Sequence, residues 1–546
     1  MIKKLTVVSL LCWILLSACN SGTKADLLVY NAVIYTVDSS FSRQDAMVIR
    51  DGRIIATGTA EELKKNYKAD SSIDLQGGFV YPGFIDAHAH FAGYAQSLGT
   101  VNLVGTSTWE EAVERTRQFA SQRKGNDWIT GRGWDQNNWP GQQFPSKELL
   151  DQYFPDRPVL LSRIDGHAAI ANSKALELAG VKPGQTLTGG DVVVKNGTLT
   201  GLLIDNAVDL VSAKIPEISP VYFRELVQQA EKNCLAVGLT TIDDCGLSIA
   251  QMEALKKMQD DQHLQMRLYV LLSDSKENYT YLRSRGIIKT DRMHVRGFKL
   301  YGDGALGSRG ACLLHPYSDQ PGHVGFLLSN PAHFDSVAAQ AQLDGFQLCT
   351  HAIGDSGNRT ILNIYGRYLV NKNDQRWRIE HAQVVNQQDF SLFGKYSIIP
   401  SVQPTHATSD MYWAGDRLGA ERLKGAYAYK QLLEENGWMP LGTDFPVEDI
   451  SPFKTFYAAV VRQDAKGWPE GGFQRENALT REQALRGMTI WAAKANFEEK
   501  EKGSLEKGKW ADFVVLDKDL MQAPENELLK IQVRHTFLGG KKLYSR

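Results

Sequence analysis

At 546 residues the chain is too long for one ordinary core and implies roughly two to four domains. Its 61 Lys and Arg stand against 62 Asp and Glu, a formal charge of −1, and 43% of it is hydrophobic, close to an average soluble protein. With no basic surplus to hold a polyanion, a nucleic-acid partner is not expected.

Residues 1–18 read as a leader rather than as part of the fold. Lys3 and Lys4 precede a short apolar run, Leu5 to Leu16, which ends in Leu16-Ser17-Ala18-Cys19. The run is too short to span a bilayer comfortably, and no later stretch has the length and apolarity of a transmembrane helix. The Leu-Ser-Ala-Cys ending resembles a bacterial lipobox. That implies cleavage before Cys19, a lipid on Cys19, and a soluble body tethered to a membrane of the cell envelope, at the periplasmic face or the cell surface. An ordinary secretory signal is the alternative. Cys12 and Cys19 belong to the leader. Cys234, Cys245, Cys312 and Cys349 form no CxxC pair, so a structural zinc site is unsupported. They read as core thiols, with a Cys234–Cys245 disulfide as the alternative in an oxidising compartment.

In chain order, 27–38 and 46–58 are predicted strands, with Asp51-Gly52 as a hairpin turn. Apolar strands then recur at 83–90, 239–245, 266–272, 296–303, 346–352, 377–382, 397–403 and 439–444. Amphipathic stretches, among them 220–236, 249–262, 331–344, 358–372 and 480–497, lie between most of them. Two further strands, 511–517 and 531–544, close the chain around Gly539-Gly540. Eight strands alternating with helices predict an α/β fold, a (β/α)8 TIM-like barrel over 81–499. The gap after the first strand is far too long for one crossover and must hold an inserted subdomain over 100–215. The β-rich ends, 25–80 and 500–546, are expected to assemble one small β-sandwich.

The sharpest local signal is Pro82-Gly83-Phe84-Ile85-Asp86-Ala87-His88-Ala89-His90. Residues two apart on a strand face one side, so His88 and His90 present two imidazoles to one point, an arrangement suited to a metal. Asp86 shares that face and is expected beside the ligands rather than among them. Lys299, His351, His381 and Asp444 end later strands, at the face where barrel active sites form.

These segments resemble the amidohydrolase superfamily, and within it the amidohydrolase-3 (YtcJ-like) group. The likeness spans PGFIDAHAH, GRGWDQNNWP (131–140), DGHAAIANSKAL (165–176), FKLYGDGALGSRGA (298–311), THAIGD (350–355), RIEHAQ (378–383), SVQPTH (401–406), GTDFPVEDISP (442–452) and GSLEKGKWADFVVLD (503–517). The resemblance implies that His88 and His90 bind one divalent ion and His351 and His381 a second. Lys299 would be carboxylated and bridge both, and Asp444 would contact the metals and carry a proton. A lysine near cations is pushed toward the neutral amine that captures CO₂; a Lys299–Asp303 ion pair is the alternative. Zinc suits this ligand set best. The implied reaction is hydrolysis of an amide-type, N-acyl or cyclic-amide C–N bond by a bridging hydroxide, an activity of the EC 3.5 type. A mononuclear deaminase and a catalytically inactive binding protein on the same barrel are the alternatives. For substrate binding the expected residues are Trp134, Asp135, Asp165, His167, Asp303, Arg309, Gln403 and His406. Trp134 has packing as its alternative, and Arg309 a pairing with Asp303 or Asp319. Tyr412-Trp413-Ala414-Gly415 reads as a lid or an ordinary loop.

Overall fold

A computed structural model describes residues 22–122 and 127–546. The leader and the lipidation expectation at Cys19 lie outside these residues. Among the described residues no helix is long and apolar enough to cross a membrane.

Seven parallel strands form the barrel wall in the order Phe84–Ala89, Leu239–Leu247, Arg267–Ser273, Met293–Tyr301, Gln347–Ala352, Arg378–His381 and Ile399–Ser401. The eighth expected strand, 439–444, is an extended segment with a single parallel bridge, Val402 to Leu441. It still closes the barrel. Gly442 N donates to Val402 O (3.0 Å), Ala87 N to Leu441 O (3.2 Å) and Asp444 N to His88 O (2.7 Å). Its irregularity has a local cause: Asp444 has φ +64°, which no regular strand accommodates. A Cβ on Gly442 would lie 2.5 Å from His88 N, so only glycine lets the closing segment approach the first strand.

The period-2 alternation sorts the wall into two faces. Leu268, Val270, Leu272, Leu348 and Ile379 pack outward against the helices, while Cys245, Tyr269, Leu271 and Cys349 fill the barrel interior. The surrounding helices begin where the sequence supplies caps. Ser219 accepts from Tyr222 N and is followed by Pro220 for Pro220–Ala236, and Ser248 with Gln251 makes a capping box for Ile249–Asp260. The stretch expected as one helix at 480–497 is two, Arg481–Gly487 and Ile490–Ala495. All four described cysteines are free. Cys234 sits in the outer helical layer and Cys245 inside the barrel, so the strand wall separates the pair that might have bridged.

Between the first and second barrel strands the chain builds a separate six-stranded sheet. Its order is Gly190–Lys195, Thr198–Asp205, Ala168–Ala171, Val159–Arg163, Ile129–Trp134, Val101–Asn102. The two chain ends meet in an eight-stranded sheet, where Tyr67–Pro82 pairs with Thr23–Tyr35 on one side and Phe513–Leu516 on the other. Val29, Ile34, Phe513 and Phe537 share one buried cluster there, as the composite sandwich requires. Asp51-Gly52 and Gly539-Gly540 all have positive φ, the backbone a two-residue hairpin turn demands.

Candidate active site

His88 is fully buried, and each of its ring nitrogens is spoken for. Nδ1 lies 2.6 Å from Glu380 Oε2, and Nε2 lies 3.0 Å from Lys299 Nζ and 3.6 Å from Asp444 Oδ1. Burial and the Lys299 charge push the His88 imidazole down to about 4, against the pull of Glu380. Burial would raise Glu380, but His88, Arg378 and Lys299 hold its carboxyl at about 2. The pair is therefore a neutral imidazole donating Nδ1–H to a carboxylate, which leaves the Nε2 lone pair facing the barrel mouth. His90 is oriented the same way by a backbone group: Nδ1 lies 2.8 Å from Cys245 O, and Nε2 points to Asp444 Oδ1 at 3.3 Å.

The other candidates gather at the same rim. The His381 ring lies 4.8 Å from that of His88 and 4.6 Å from that of His351. Burial, then His351 and His88, hold His381 well below the usual imidazole range; burial, then His167 and Lys299, do the same to His351. Burial opposes ionisation of Asp444, but the hydrogen bond from His406 and the imidazoles of His90, His88 and His381 around it keep its carboxyl well below the ordinary range. Neutral imidazoles beside an anionic carboxylate are the donor set a divalent transition metal requires. Two of these donors are orphaned: His381 Nδ1 and Asp444 Oδ1 are buried without a hydrogen-bond partner. One ligand atom each from His88, His381 and Asp444 lie within 4.8 Å of one another. The residues fit a metal.

Lys299 is fully buried at the centre of this cluster. Burial disfavours its charge, but Tyr301, Cys245, Glu380 and Asp444 together hold the ammonium above the ordinary lysine range. Burial pushes Tyr301 and Cys245 themselves upward, so both are neutral at pH 7 and the charges then acting on Lys299 are those of Glu380 and Asp444. The alternative Lys299–Asp303 pair is not formed. Asp303 is instead consumed by backbone donors, Ile353 N at 2.9 Å and Cys312 N and Gly354 N at 2.8 Å, and does not line the cavity.

Above the cluster lies a cavity of about 1800 Å³, walled by the barrel rim on one side and the inserted sheet on the other. Of the expected substrate residues, Asp135, Asp165, His167 and His406 line it. The turn at Asp165-Gly166, between Val159–Arg163 and Ala168–Ala171, projects His167 to within 5.0 Å of the His351 ring. Its Nδ1 lies 2.5 Å from Asp205 Oδ1. His406 bridges Asp444 Oδ2 (3.3 Å) and Glu448 Oε1 (3.2 Å); those bonds overcome burial and raise it to about 10.

Four expected residues are elsewhere. Trp134 is fully buried in the inserted domain against Trp139 and Phe144, its Nε1 donating to Leu161 O at 2.7 Å. Arg309 pairs with Asp319 at 2.9 Å, and Gln403 is buried with its Nε2 on Ser401 O at 3.3 Å; neither lines the cavity, and Asp303 anchors a loop. Tyr412 and Trp413 do line it, and Tyr412 stacks on Trp468 with centroids 5.0 Å apart. Asp86 ties the first strand to the closing segment, accepting Thr443 N at 2.9 Å and Thr443 Oγ1 at 2.7 Å.

The sequence reading missed Glu380, Asp205 and Arg132. Arg378 and Glu380 share the interior face of their strand, so alternation would send His381 outward with Ile379. The positive φ of His381 (72°) turns it back to the rim, and no pattern announces that. Asp205 did leave a signal. Cβ atoms on Gly304 and Gly310 would lie 2.5 and 2.2 Å from its Oδ2, so the glycines of FKLYGDGALGSRGA make room for this carboxylate. Replacing Glu380 with Gln keeps the shape but removes the charge that orients His88. We expect metal affinity to fall about 10- to 100-fold, measured by competition with a chelating dye; unchanged affinity would show that Glu380 does not tune the site.

An amidohydrolase family model matches residues 72–544. The chain is 35% identical over 543 residues to Protein LONG AFTER FAR-RED 3 of Arabidopsis thaliana, covering 96% of this chain and 92% of that one. It is 26% identical over 544 residues to the N-substituted formamide deformylase of Arthrobacter pascens, covering 95% and 98%. The crystal structure of an uncharacterized metal-dependent hydrolase from Pyrococcus horikoshii OT3 matches with a TM-score of 0.75 at 27% identity, over 91% of this chain and 99% of that one. With histidines, a lysine and an aspartate gathered on a barrel rim and a family match running through every one of them, the chain belongs to the amidohydrolase family.

Proposed function

We propose that the protein hydrolyses a C–N bond other than a peptide bond (amide-type, N-acyl or cyclic amide) in a small molecule. His88, His90, carboxylated Lys299, His351, His381 and Asp444 would hold two divalent ions, zinc by preference. The observation that carries this reading is the convergence of those side chains on one rim with His381 Nδ1 and Asp444 Oδ1 left without partners. When bound, the metal pair supplies Lewis acidity toward a carbonyl oxygen and a hydroxide nucleophile at neutral pH. The likeness to the N-substituted formamide deformylase of Arthrobacter pascens supports the reaction class.

The protein's own residues do the rest. Asp444 accepts the proton of the attacking water and returns it to the leaving nitrogen. His406, a cation at neutral pH between Asp444 and Glu448, keeps Asp444 ionised and fixes the plane of its carboxylate. Glu380 and Cys245 O set the tautomers of His88 and His90. The inserted sheet contributes Asp135, Asp165 and His167 to the cavity wall above the rim.

The test is a screen of metal-loaded protein against N-acyl amino acids, N-substituted formamides and cyclic amides, followed by amine release. Turnover of one class with about two metal equivalents per chain is expected; a fully loaded protein inert toward all three overturns the reading. A mononuclear deaminase is the second reading, favoured by the trio His88, His381 and Asp444, whose ligand atoms gather within 4.8 Å of one another. It would bind one equivalent and release ammonia. The lipid tether at Cys19 enters this proposal from the leader sequence alone.

A further inference from the structure

The inserted sheet sets two arginines on the cavity wall, and only one of them is neutralised. Arg163 uses all three nitrogens. Nε donates to Gln136 Oε1 (2.8 Å), Nη1 to Asp165 Oδ2 (2.5 Å) and Nη2 to Asp135 Oδ1. Arg132 has a single hydrogen bond among the described residues, Nη2 to the neutral carbonyl of Ile164 at 2.6 Å. Its Nε is buried with no partner. The acidic groups nearest in effect are already engaged: Asp165 with Arg163, and Asp444 with His90 and His406. A half-buried cation on the cavity wall, with its Nε orphaned and no counter-ion beside it, is one that a ligand's negative charge would satisfy.

A backbone device aims this cation. Along Ile129–Trp134 the pairing with Val159–Arg163 shifts between Arg132 and Trp134, so Gly133 is an extra, bulged residue. Gly133 has φ +113°, and a Cβ there would lie 2.6 Å from Val104 Cγ2. The bulge sends Trp134 into the domain core and leaves Arg132 on the cavity side.

We infer that Arg132 is the subsite for a carboxylate on the substrate, so that the compound hydrolysed is an N-acylated amino acid or a similarly short anionic amide rather than a neutral one. The free Nη1 and the remaining N–H of Nη2 form the planar fork that matches a carboxylate. The cavity is large enough to take an acyl group and an amino-acid side chain together. This inference rests on the amide-hydrolase reading, and the test separates the two.

Metal-loaded wild type, Arg132→Gln and Arg132→Lys are given N-acetyl- and N-formyl-amino acids, each paired with its carboxamide, and amine release is followed. Binding without turnover is measured by calorimetry with 4-oxo-4-phenylbutanoate, a ketone that cannot be hydrolysed, and with its neutral carboxamide. Wild type should prefer the acid of each pair by about 10- to 100-fold, the worth of a charged hydrogen bond. Arg132→Gln should bring the acid-to-amide ratio toward one, with Arg132→Lys between. A purely structural Arg132 would depress acid and amide alike and leave the ratio where it was, which overturns the assignment, as does a wild type that takes both alike or neither. Acid-selective binding with no amine release sinks the hydrolase reading and leaves the anion site standing. Amine release without acid preference does the reverse.

Discussion

Asparagine in place of Asp444 should lower kcat by about 10²- to 10⁴-fold, the usual worth of a positioned proton carrier. The substitution is nearly isosteric, and the backbone that holds it is independent of the side chain: Asp444 N donates to His88 O at 2.7 Å, and Val447 N returns to Asp444 O at 2.8 Å. What changes is the chemistry at two oxygens. Oδ1 faces His90 and His88, and Oδ2 faces His406. An amide cannot take up the water proton. It also removes the negative charge that, with Glu448, holds His406 protonated. The measurement is kcat for the best substrate of the screen, with metal content determined on the same sample. Loss of turnover at full metal loading assigns the proton step to Asp444. Loss of metal along with turnover would mean that its main task is ligation. Retention of more than a tenth of wild-type kcat would remove it from the mechanism altogether.

Much of this site was legible because its chemistry is carried by short segments at strand ends. PGFIDAHAH needs only the two-residue repeat to place Asp86 and His88 on one face, and the structure adds that Ile85 and Ala87 pack outward on Ala492 and Ala493. The barrel itself followed from apolar runs separated by capped helices, with errors where backbone regularity breaks. The closing segment 439–444 reads as a strand by composition but is bent by Asp444 at φ +64°. The substrate wall was harder to read, because side-chain direction there depends on features that leave no periodic trace. In GRGWDQNNWP the bulge at Gly133 gives Trp134 its alternative role in the core and leaves Arg132, to which the sequence assigned no role, on the cavity. Arg309 could be read as a clamp or as an ion pair, and only the fold brings Asp319 to within 2.9 Å of it. Glu380 was passed over because its neighbour His381 drew the metal-ligand reading. Two adjacent strand residues cannot both face inward unless the backbone leaves the strand, as it does here.

Loading of the metal-free protein should depend on CO₂, and Lys299 is the reason. Its ammonium is buried, 3.0 Å from His88 Nε2, and Glu380 and Asp444 hold it in the charged form. In that state Nε2 of His88 accepts a proton-bearing donor and has no lone pair to offer a cation, and the ammonium adds repulsion inside a low-dielectric rim. Deprotonation of Lys299 and addition of CO₂ would replace a positive charge with a negative oxygen donor and free His88 at once. Since only the neutral amine reacts, uptake should quicken as pH rises from 7 toward 9. It should also be slow in CO₂-depleted buffer at either pH. The experiment follows zinc uptake by chelator-stripped protein with and without ¹³C-bicarbonate, looking for a carbamate carbon signal in the loaded sample. Lys299→Met removes the ammonium and the carbamate together. It should bind less than the full metal complement and lose at least about 10³-fold in kcat/KM whatever the bicarbonate concentration, a loss of the size expected when a group that both ligates and orders a site is deleted. Rapid, complete zinc uptake by the wild type in CO₂-free buffer, with no carbamate signal, would refute the carboxylated lysine. The four histidines and Asp444 would then have to hold whatever metal the protein uses unaided.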